Sequence, residues 1–139
     1  MRILVVEDDA VLAMVCALAL EDAGHTIVGP VHDVESYQRL SGLAGTDLAL
    51  VDINLAGADE GLEVARELRA QQIPTLFVSG QLGAAREHSD LALGLLRKPY
   101  DTEDLLNSVT YLQNSRFSSS SSAVVKPATL EIFGSNENL

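Results

Sequence analysis

Short apolar runs recur along the first hundred residues and are separated by more polar stretches of helical character. Each run is too short for a helix, and most contain β-branched residues, so the runs predict β-strands. Because they are apolar on both faces, they are typical of parallel strands that are covered on both sides. The four strong runs are residues 3–6, 48–51, 75–78 and 93–96, and a weaker run covers residues 26–29.

Helical patterns fill the intervals between these strands. The apolar stretch at 10–23 predicts a first helix, and Asp33 can cap a second one over about 34–43. Leu62, Val64, Ala65 and Leu68 have helical spacing and predict a third helix. A weak polar helix follows at 83–91. A last helix, capped by Asp101, is expected over 102–114.

The alternation of strand and helix runs through five units and predicts a doubly wound α/β domain with a five-stranded parallel sheet. In such sheets ligands bind beyond the carboxyl ends of the strands. The residues that follow each strand are therefore the first candidates for a functional site.

The chain changes character after residue 115. We expect one domain over 1–115, followed by a serine-rich linker and tail over 116–139. The five serines at 118–122 precede a more apolar segment, so three alternatives stay open. The segment is mobile, folds back on its own domain, or docks through residues 124–125 and 130–133 on another copy to give a homodimer.

Composition narrows the classes of function. The chain has 139 residues and a net charge of −11, so binding of nucleic acid or of a membrane surface by the domain is not expected. Cys16 is the single cysteine and lies in an apolar run, which predicts a core side chain rather than a nucleophile. The lack of a disulfide framework and of a signal-peptide pattern at the N-terminus predicts a cytoplasmic location.

Polar residues suited to phosphoryl chemistry follow four of the predicted strands. Neighbouring carboxylates raise each other's pKa and are relieved by a hard divalent cation such as Mg²⁺. A carboxylate can also attack phosphorus, and an ammonium and a hydroxyl can hold phosphoryl oxygens. The residues in question are Glu7, Asp8 and Asp9, then Asp52, then Ser79 and Gly80, then Lys98 and Pro99.

These segments together resemble the receiver domain of bacterial two-component response regulators. The resemblance covers about residues 2–115 and rests on four motifs, whose order and spacing are specific. It implies a flavodoxin-like receiver fold with strand order 2-1-3-4-5 and a cis bond before Pro99. The motifs are residues 3–9 (ILVVEDD), 50–55 (LVDINL), 78–80 (VSG) and 98–100 (KPY).

The resemblance also implies a role for each site residue. Asp52 corresponds to the phosphoacceptor and to a ligand of Mg²⁺. The other implied metal ligands are Asp8, directly, Glu7, through water, and Asn54, through its backbone carbonyl. The implied phosphoryl-binding residues are Ser79, Gly80 and Lys98.

Some positions depart from the usual receiver pattern. Leu95 stands where receivers commonly carry Tyr or Phe as a rotating switch, so an aromatic rotor is not expected. The loop 55–61 lacks the familiar proline and is one residue longer. The segment 74–80 resembles alphaproteobacterial variants with a Phe-Ala-Thr-Gly-like motif. The predicted route of the signal that leaves Asp52 runs through Ser79, Gly80 and a short fourth helix.

The predicted function is a stand-alone signalling phosphoacceptor, not an enzyme. It would receive a phosphoryl group from a histidine kinase or a histidine phosphotransfer protein and act through a downstream protein partner. One alternative is a pseudo-receiver that serves as a binding scaffold. The other, a haloacid-dehalogenase-type phosphatase, is disfavoured because that class needs an acid where this chain has Asn54.

Overall fold

The computed structural model describes residues 1–55, 60–117 and 125–134. Strands and helices alternate through the first five units, as predicted, and a further strand follows the last helix. The strands are β1 (Arg2–Val6), β2 (Thr26–Val31), β3 (Leu48–Val51), β4 (Thr75–Ser79), β5 (Gly94–Arg97) and β6 (Leu130–Ile132). The helices are α1 (Ala10–Asp22), α2 (Val34–Gln38), α3 (Glu60–Ala70), α4 (Leu82–Glu87) and α5 (Thr102–Phe117), with a 3₁₀ turn at Ser89–Leu91.

The six strands form one sheet in the order β2-β1-β3-β4-β5-β6. Strands β1 to β5 are parallel, which confirms the doubly wound fold and the predicted order of its five strands. The sixth strand is antiparallel to β5 and was not predicted from the sequence. The carboxyl ends of the five parallel strands therefore meet at one rim of the sheet.

Both faces of the sheet are covered, because alternate residues of a strand point to opposite sides. On β1, Ile3 and Val5 pack into a cluster shared with α1 and α5. Leu4 and Val6 pack into a second cluster shared with α2 and α3. All four side chains are buried, and this confirms the interpretation of the apolar runs as strands covered on both sides.

Three helices end more than one residue away from the position predicted from the sequence. Helix α2 ends at Gln38 rather than near residue 43, and Gly42 beyond it has a φ of 79°, which is incompatible with a right-handed helix. Helix α5 runs to Phe117, three residues beyond the predicted end at 114. The cap at Asp33 is confirmed, since its Oδ1 accepts the Ser36 N–H at 2.7 Å. Helix α4 ends at Glu87 rather than at residue 91, and Ser89–Leu91 form the 3₁₀ turn, so the fourth helix is short, as predicted.

The described part of the C-terminal segment packs on its own domain. Leu130 is 1% exposed and Phe133 is 5% exposed, so both are buried side chains. Val125 precedes the strand and is 80% exposed, and docking of this residue on another copy stays a prediction. Residue 124 lies outside the described residues. None of the described helices combines the length and the hydropathy needed to cross a membrane.

Candidate functional site

The carboxylates predicted from the strand ends lie together at the rim. Glu7 follows β1 and Asp52 follows β3, and their strands are hydrogen-bonded neighbours. The Asp52 N–H donates to the carbonyl of Val6 at 3.0 Å, which places Asp52 beside the end of β1. Glu7 and Asp52 are buried, whereas Asp8 is exposed. One carboxylate oxygen from each of the three lies within 4.8 Å of those of the other two.

A single lysine bridges the two buried carboxylates. The Nζ of Lys98 lies 3.0 Å from Oε1 of Glu7 and 3.1 Å from Oδ2 of Asp52. These three residues come from the ends of β1, β3 and β5, and Lys98 is 91 residues from Glu7 along the chain. The structure thus confirms that the rim gathers the predicted acids and the predicted lysine.

The pKa values of this group reflect one cation shared between two carboxylates. Burial raises the pKa of Glu7 and the charge of Asp52 raises it further, although hydrogen bonds from Asp9 and Lys98 lower it. Burial by itself would lower the pKa of Lys98, but Glu7 and Asp52 outweigh burial and raise it. Lys98 is therefore held in its charged form, while the negative charge around it is incompletely compensated.

Backbone groups orient the two buried carboxylates. Oδ1 of Asp52 accepts the Asn54 N–H at 3.0 Å, so this oxygen and the lysine-bound Oδ2 both have defined directions. Oε2 of Glu7 accepts the Asp9 N–H at 3.1 Å. The Nδ1 of His32 lies 2.9 Å from the backbone carbonyl of Glu7, a contact at the site that the scattered histidines did not predict.

Ser79 and Lys98 are connected through the backbone. The Lys98 N–H donates to the carbonyl of Ser79 at 3.0 Å, which joins the ends of β4 and β5. The buried hydroxyl oxygen of Ser79 accepts the Gln81 N–H at 2.9 Å, so the hydroxyl hydrogen is left to donate elsewhere. Gly80 is exposed, and a Cβ at this position would lie 4.0 Å from the Cβ of Lys98.

Gly61 is a residue of the site region whose importance was not predicted from the sequence. A Cβ at Gly61 would lie 2.0 Å from the carbonyl oxygen of Asp52 and 2.6 Å from the Cα of Ile53. The Gly61 N–H donates to the carbonyl of Ile53 at 3.0 Å. Any larger residue would push α3 away from the backbone of the candidate phosphoacceptor. The only sequence signal is a glycine in the first turn of a helix.

Cys16 is buried in the core, and Tyr100 is partly buried and packs against the same cluster. Burial raises the pKa of Cys16 to about 12, with a further contribution from the charge of Glu7. Burial also raises the pKa of Tyr100. Both groups therefore stay protonated at neutral pH, which agrees with the prediction that Cys16 is not a nucleophile.

A hydrophobic surface adjoins the charged rim. Helix α1 begins immediately after the acidic residues and carries an exposed row of large apolar side chains. A cavity of about 470 Å³ opens between this row and the β5–α5 turn, with Leu12, Val15, Lys98 and Pro99 among its lining residues. The peptide bond between Lys98 and Pro99 is cis, as the resemblance implied. The exposed residues of α1 are Val11, Leu12, Met14, Val15 and Leu18.

The donor set of the rim fits a hard divalent cation. Glu7, Asp8 and Asp52 offer only oxygen ligands, and few carboxylates together with water and a phosphate group are typical of Mg²⁺ sites. A softer transition metal would be favoured by His or Cys ligands, and the cluster contains neither. The carboxylate cluster therefore agrees with the predicted cofactor.

A doubly wound fold with an acidic cluster, a bridging lysine and a buried hydroxyl at its carboxyl rim defines the receiver class of signalling domains. The family model of the response regulator receiver domain matches residues 3–110, and the chain belongs to this family. It is thus a receiver domain of two-component signalling. Receiver domains of signalling response regulators are generally not classical enzymes.

Similar proteins support the same assignment. The transcriptional regulatory protein PdtaR of Mycobacterium tuberculosis is 29% identical over 84% of this chain and 58% of its own length. The two-component response regulator PhoP of Pseudomonas aeruginosa is 34% identical over 76% of this chain and 48% of its own. The chain thus spans about half the length of the curated relatives it matches.

A solved structure with the same fold is the signal receiver domain of a modulated diguanylate cyclase from Desulfovibrio desulfuricans G20. It has a TM-score of 0.68 and 29% identity, with 79% of this chain and 90% of that chain covered. The predicted family and fold are therefore confirmed. The resemblance to the alphaproteobacterial variants stays a prediction.

Proposed function

We propose that Asp52 accepts a phosphoryl group from a phosphohistidine of a kinase or a phosphotransfer protein, with Mg²⁺ as cofactor. The observation that carries this proposal is the position of Asp52. Its carboxylate is buried and hydrogen-bonded on both oxygens, it lies in one cluster with Glu7 and Asp8, and it shares Lys98 with Glu7. This arrangement supplies a nucleophile and an excess of negative charge that a cation would neutralise.

The transfer forms a bond between a carboxylate oxygen of Asp52 and phosphorus, while the bond between phosphorus and the donor's imidazole nitrogen breaks and its electron pair stays on the imidazole. Held by Glu7, Asp8, Asp52 and the Asn54 carbonyl, Mg²⁺ would supply positive charge to the phosphoryl oxygens. Lys98 turns from the carboxylates to a phosphoryl oxygen. Ser79, whose hydroxyl hydrogen is available, donates to another.

The apolar row on α1 suits the approach of the protein that donates the phosphoryl group. That protein must bring its histidine to Asp52, so its surface has to cover the rim and whatever borders it. The row starts at Val11, two residues after the acidic segment, and continues through Met14 and Leu18. Exposed apolar patches beside a polar site are typical of protein interaction surfaces.

The test is labelling by acetyl phosphate, with and without Mg²⁺. We expect the wild type and Asp90→Asn to gain one phosphoryl group in the presence of Mg²⁺. The latter is a matched control, since Asp90 is an exposed acid on the 3₁₀ turn. Asp52→Asn should gain none. Undiminished labelling of Asp52→Asn would refute the proposed phosphoacceptor.

A second arm uses a phosphorylated histidine phosphotransfer protein as donor. Met14→Lys places a charge in the middle of the apolar row without touching the carboxylates. It should reduce transfer from the protein donor at least tenfold and leave labelling by acetyl phosphate unchanged. Transfer from the protein donor to Met14→Lys at the wild-type rate would exclude α1 as the docking surface.

The proposal includes three further predictions. They are output through a downstream protein partner, a homodimer formed through the C-terminal tail, and a cytoplasmic location. Within the tail, residues 130–133 pack on their own domain. Comparing the solution mass of the full chain with that of a chain shortened by residues 117–139 would test the homodimer.

A further inference from the structure

The C-terminal segment completes the edge of the sheet beside β5. In the antiparallel ladder Ile132 lies opposite Gly94 and Leu130 lies opposite Leu96. The ladder is continued at both ends, because the Phe133 N–H donates to the carbonyl of Leu93 and the Arg97 N–H donates to the carbonyl of Thr129, each at 2.9 Å. The backbone groups of β5 on this edge are thus satisfied by residues 129–133.

Side chains hold this edge strand on both sides. The Phe133 ring packs edge-on against Phe77, with ring centroids 6.4 Å apart, in a cluster that also contains Leu95. Glu131 forms two hydrogen bonds with Arg86 of α4, at 3.0 and 2.7 Å. The segment therefore connects β5, the core of β4 and the short helix α4.

These contacts reach the immediate neighbours of the phosphoryl-binding residues. Phe77, which contacts Phe133, is two residues before Ser79, and both side chains point to the same side of β4. Arg97, which precedes Lys98, gives both its backbone N–H and a guanidinium hydrogen bond to the segment, at Thr129 and Ala128. The residues that hold the edge strand are thus a chain neighbour of Lys98 and a side chain on the same side of β4 as Ser79.

We propose that β6 with Phe133 is a displaceable edge strand, that phosphorylation of Asp52 releases it, and that the freed β5 edge binds an extended segment of the output partner. This inference rests on the proposed phosphorylation of Asp52. Lys98 has to exchange its contacts with Asp52 and Glu7 for a phosphoryl oxygen, and in the proposed release the end of β5, where Arg97 pairs with Thr129, shifts with it. The Arg97–Thr129 hydrogen bond closes one end of the β5–β6 ladder, so its loss would open the ladder from that end.

The chemistry of the partner segment follows from the surface that the chain's own segment fills. It must add as an antiparallel strand to β5 through main-chain hydrogen bonds and place an apolar or aromatic side chain against Phe77. An acidic residue two positions earlier would pair with Arg86. Close approach is possible because Gly94 has no side chain: a Cβ there would lie 2.3 Å from the carbonyl oxygen of Glu131.

The first measurement is hydrogen exchange of the backbone amides in residues 128–134 of the full chain. Beryllofluoride with Mg²⁺, a tetrahedral analogue of the phosphoryl group, should speed their exchange about 5- to 150-fold, the range typical of allosteric coupling. Asp52→Asn should show no change under the same conditions. Unchanged or slower exchange in a wild type that binds the analogue would overturn the inference, whereas failure to bind it would instead contradict the proposed function.

Gly94→Ala is the variant that isolates the edge strand, since the three atoms closest to the added Cβ all belong to β6. It should show fast exchange at residues 128–134 with or without the analogue. Because coupling is reciprocal, it should also bind the analogue more tightly, by the same factor that the analogue speeds exchange in the wild type. Equal affinity in Gly94→Ala and the wild type would overturn the coupling. Phe133→Ala provides a second variant if Gly94→Ala does not fold.

The freed edge is probed with a synthetic peptide of residues 126–134, labelled with a fluorophore. The full-length wild type should bind it at least fivefold more tightly with the analogue than without. The same peptide with alanine in place of Phe133 serves as control and should bind weakly in both states. Equal binding of the two peptides would exclude the β5 edge as the docking surface.

Discussion

The carboxyl rim and the β5 edge are two borders of the same sheet, and they are stabilised in opposite ways. At the rim, Glu7, Asp8 and Asp52 lie within reach of one another, and Lys98 bridges Glu7 and Asp52. At the β5 edge, Leu130 and Phe133 bury apolar surface and every strand position finds a partner. Negative charge at the rim is only partly compensated, whereas almost no uncompensated charge remains at the β5 edge.

This difference indicates which parts of the sheet can respond to a bound metal ion or to a phosphoryl group. Charge that is brought together without full compensation costs stability, and it can be relieved by a metal ion or altered by a phosphoryl group. An added edge strand contributes stability locally, and it can leave without unfolding the sheet beneath it. The two borders meet at Lys98, which contacts the carboxylates, and Arg97, which pairs with Thr129, and the proposed coupling acts at this point.

The largest expected effect is on the free energy of unfolding, and it compares a phenylalanine of the core with one of the edge strand. Phe77→Ala should lower the free energy of unfolding by about 3–5 kcal/mol, as for other buried phenylalanines. Phe133→Ala, in the same cluster, should lower it by about 2 kcal/mol or less, because local release of the segment limits the loss. Urea unfolding measures both. Equal losses would show that the edge strand unfolds only with the whole domain and would break the comparison.

The next effect concerns the cation at the rim. Lys98→Met leaves two buried carboxylates without their counter-ion and should cost about 3 kcal/mol in the absence of Mg²⁺. The double variant Lys98→Met/Asp52→Asn should regain part of the lost stability. Arg39→Met removes an exposed helical ion pair with Glu35 and should cost less than about 1 kcal/mol. A Lys98→Met chain as stable as Arg39→Met would mean that the carboxylates are not held by Lys98.

The smallest effect is that of the metal ion itself. Mg²⁺ at ten times its Kd should stabilise the wild type by about 1.4 kcal/mol, measured as a rise in Tm. Asp8→Asn should lose this rise, since it removes one oxygen charge from the cluster. The same variant should be slightly more stable than the wild type without Mg²⁺, because fewer like charges are brought together. A full Mg²⁺ effect in Asp8→Asn would place the ion elsewhere.

Most of the rim could be predicted because strand ends are visible as the points where apolar runs stop. Asp52 and Lys98 each follow such a run, and the parallel topology brings the ends of the runs together. The close packing of Gly61 on the backbone of Asp52 was not predictable, because it depends on how near α3 approaches β3. The predicted end of α2 was also wrong, because the helix ends at Gln38, four residues before Gly42.

The edge strand shows more clearly what cannot be predicted from the sequence pattern. Residues 130–133 have an apolar pattern that suits a strand, but that pattern does not say which strand they will join. The antiparallel pairing with β5 depends on an edge being open, on Gly94 allowing close approach and on Phe77 offering a surface for Phe133. Each of these conditions exists only once the other five strands are in place.

By itself, the sequence determined the order of strands and helices, the parallel sheet, the family and the set of acids, hydroxyl and lysine at the rim. These features depend on short-range patterns and on motif spacing, which are written in consecutive residues. Tertiary structure alone decided that Lys98 is shared between Glu7 and Asp52, which lie 91 and 46 residues away from it. It also decided that the tail returns as a sixth strand, because contacts between distant residues depend on the space left by everything else that folds.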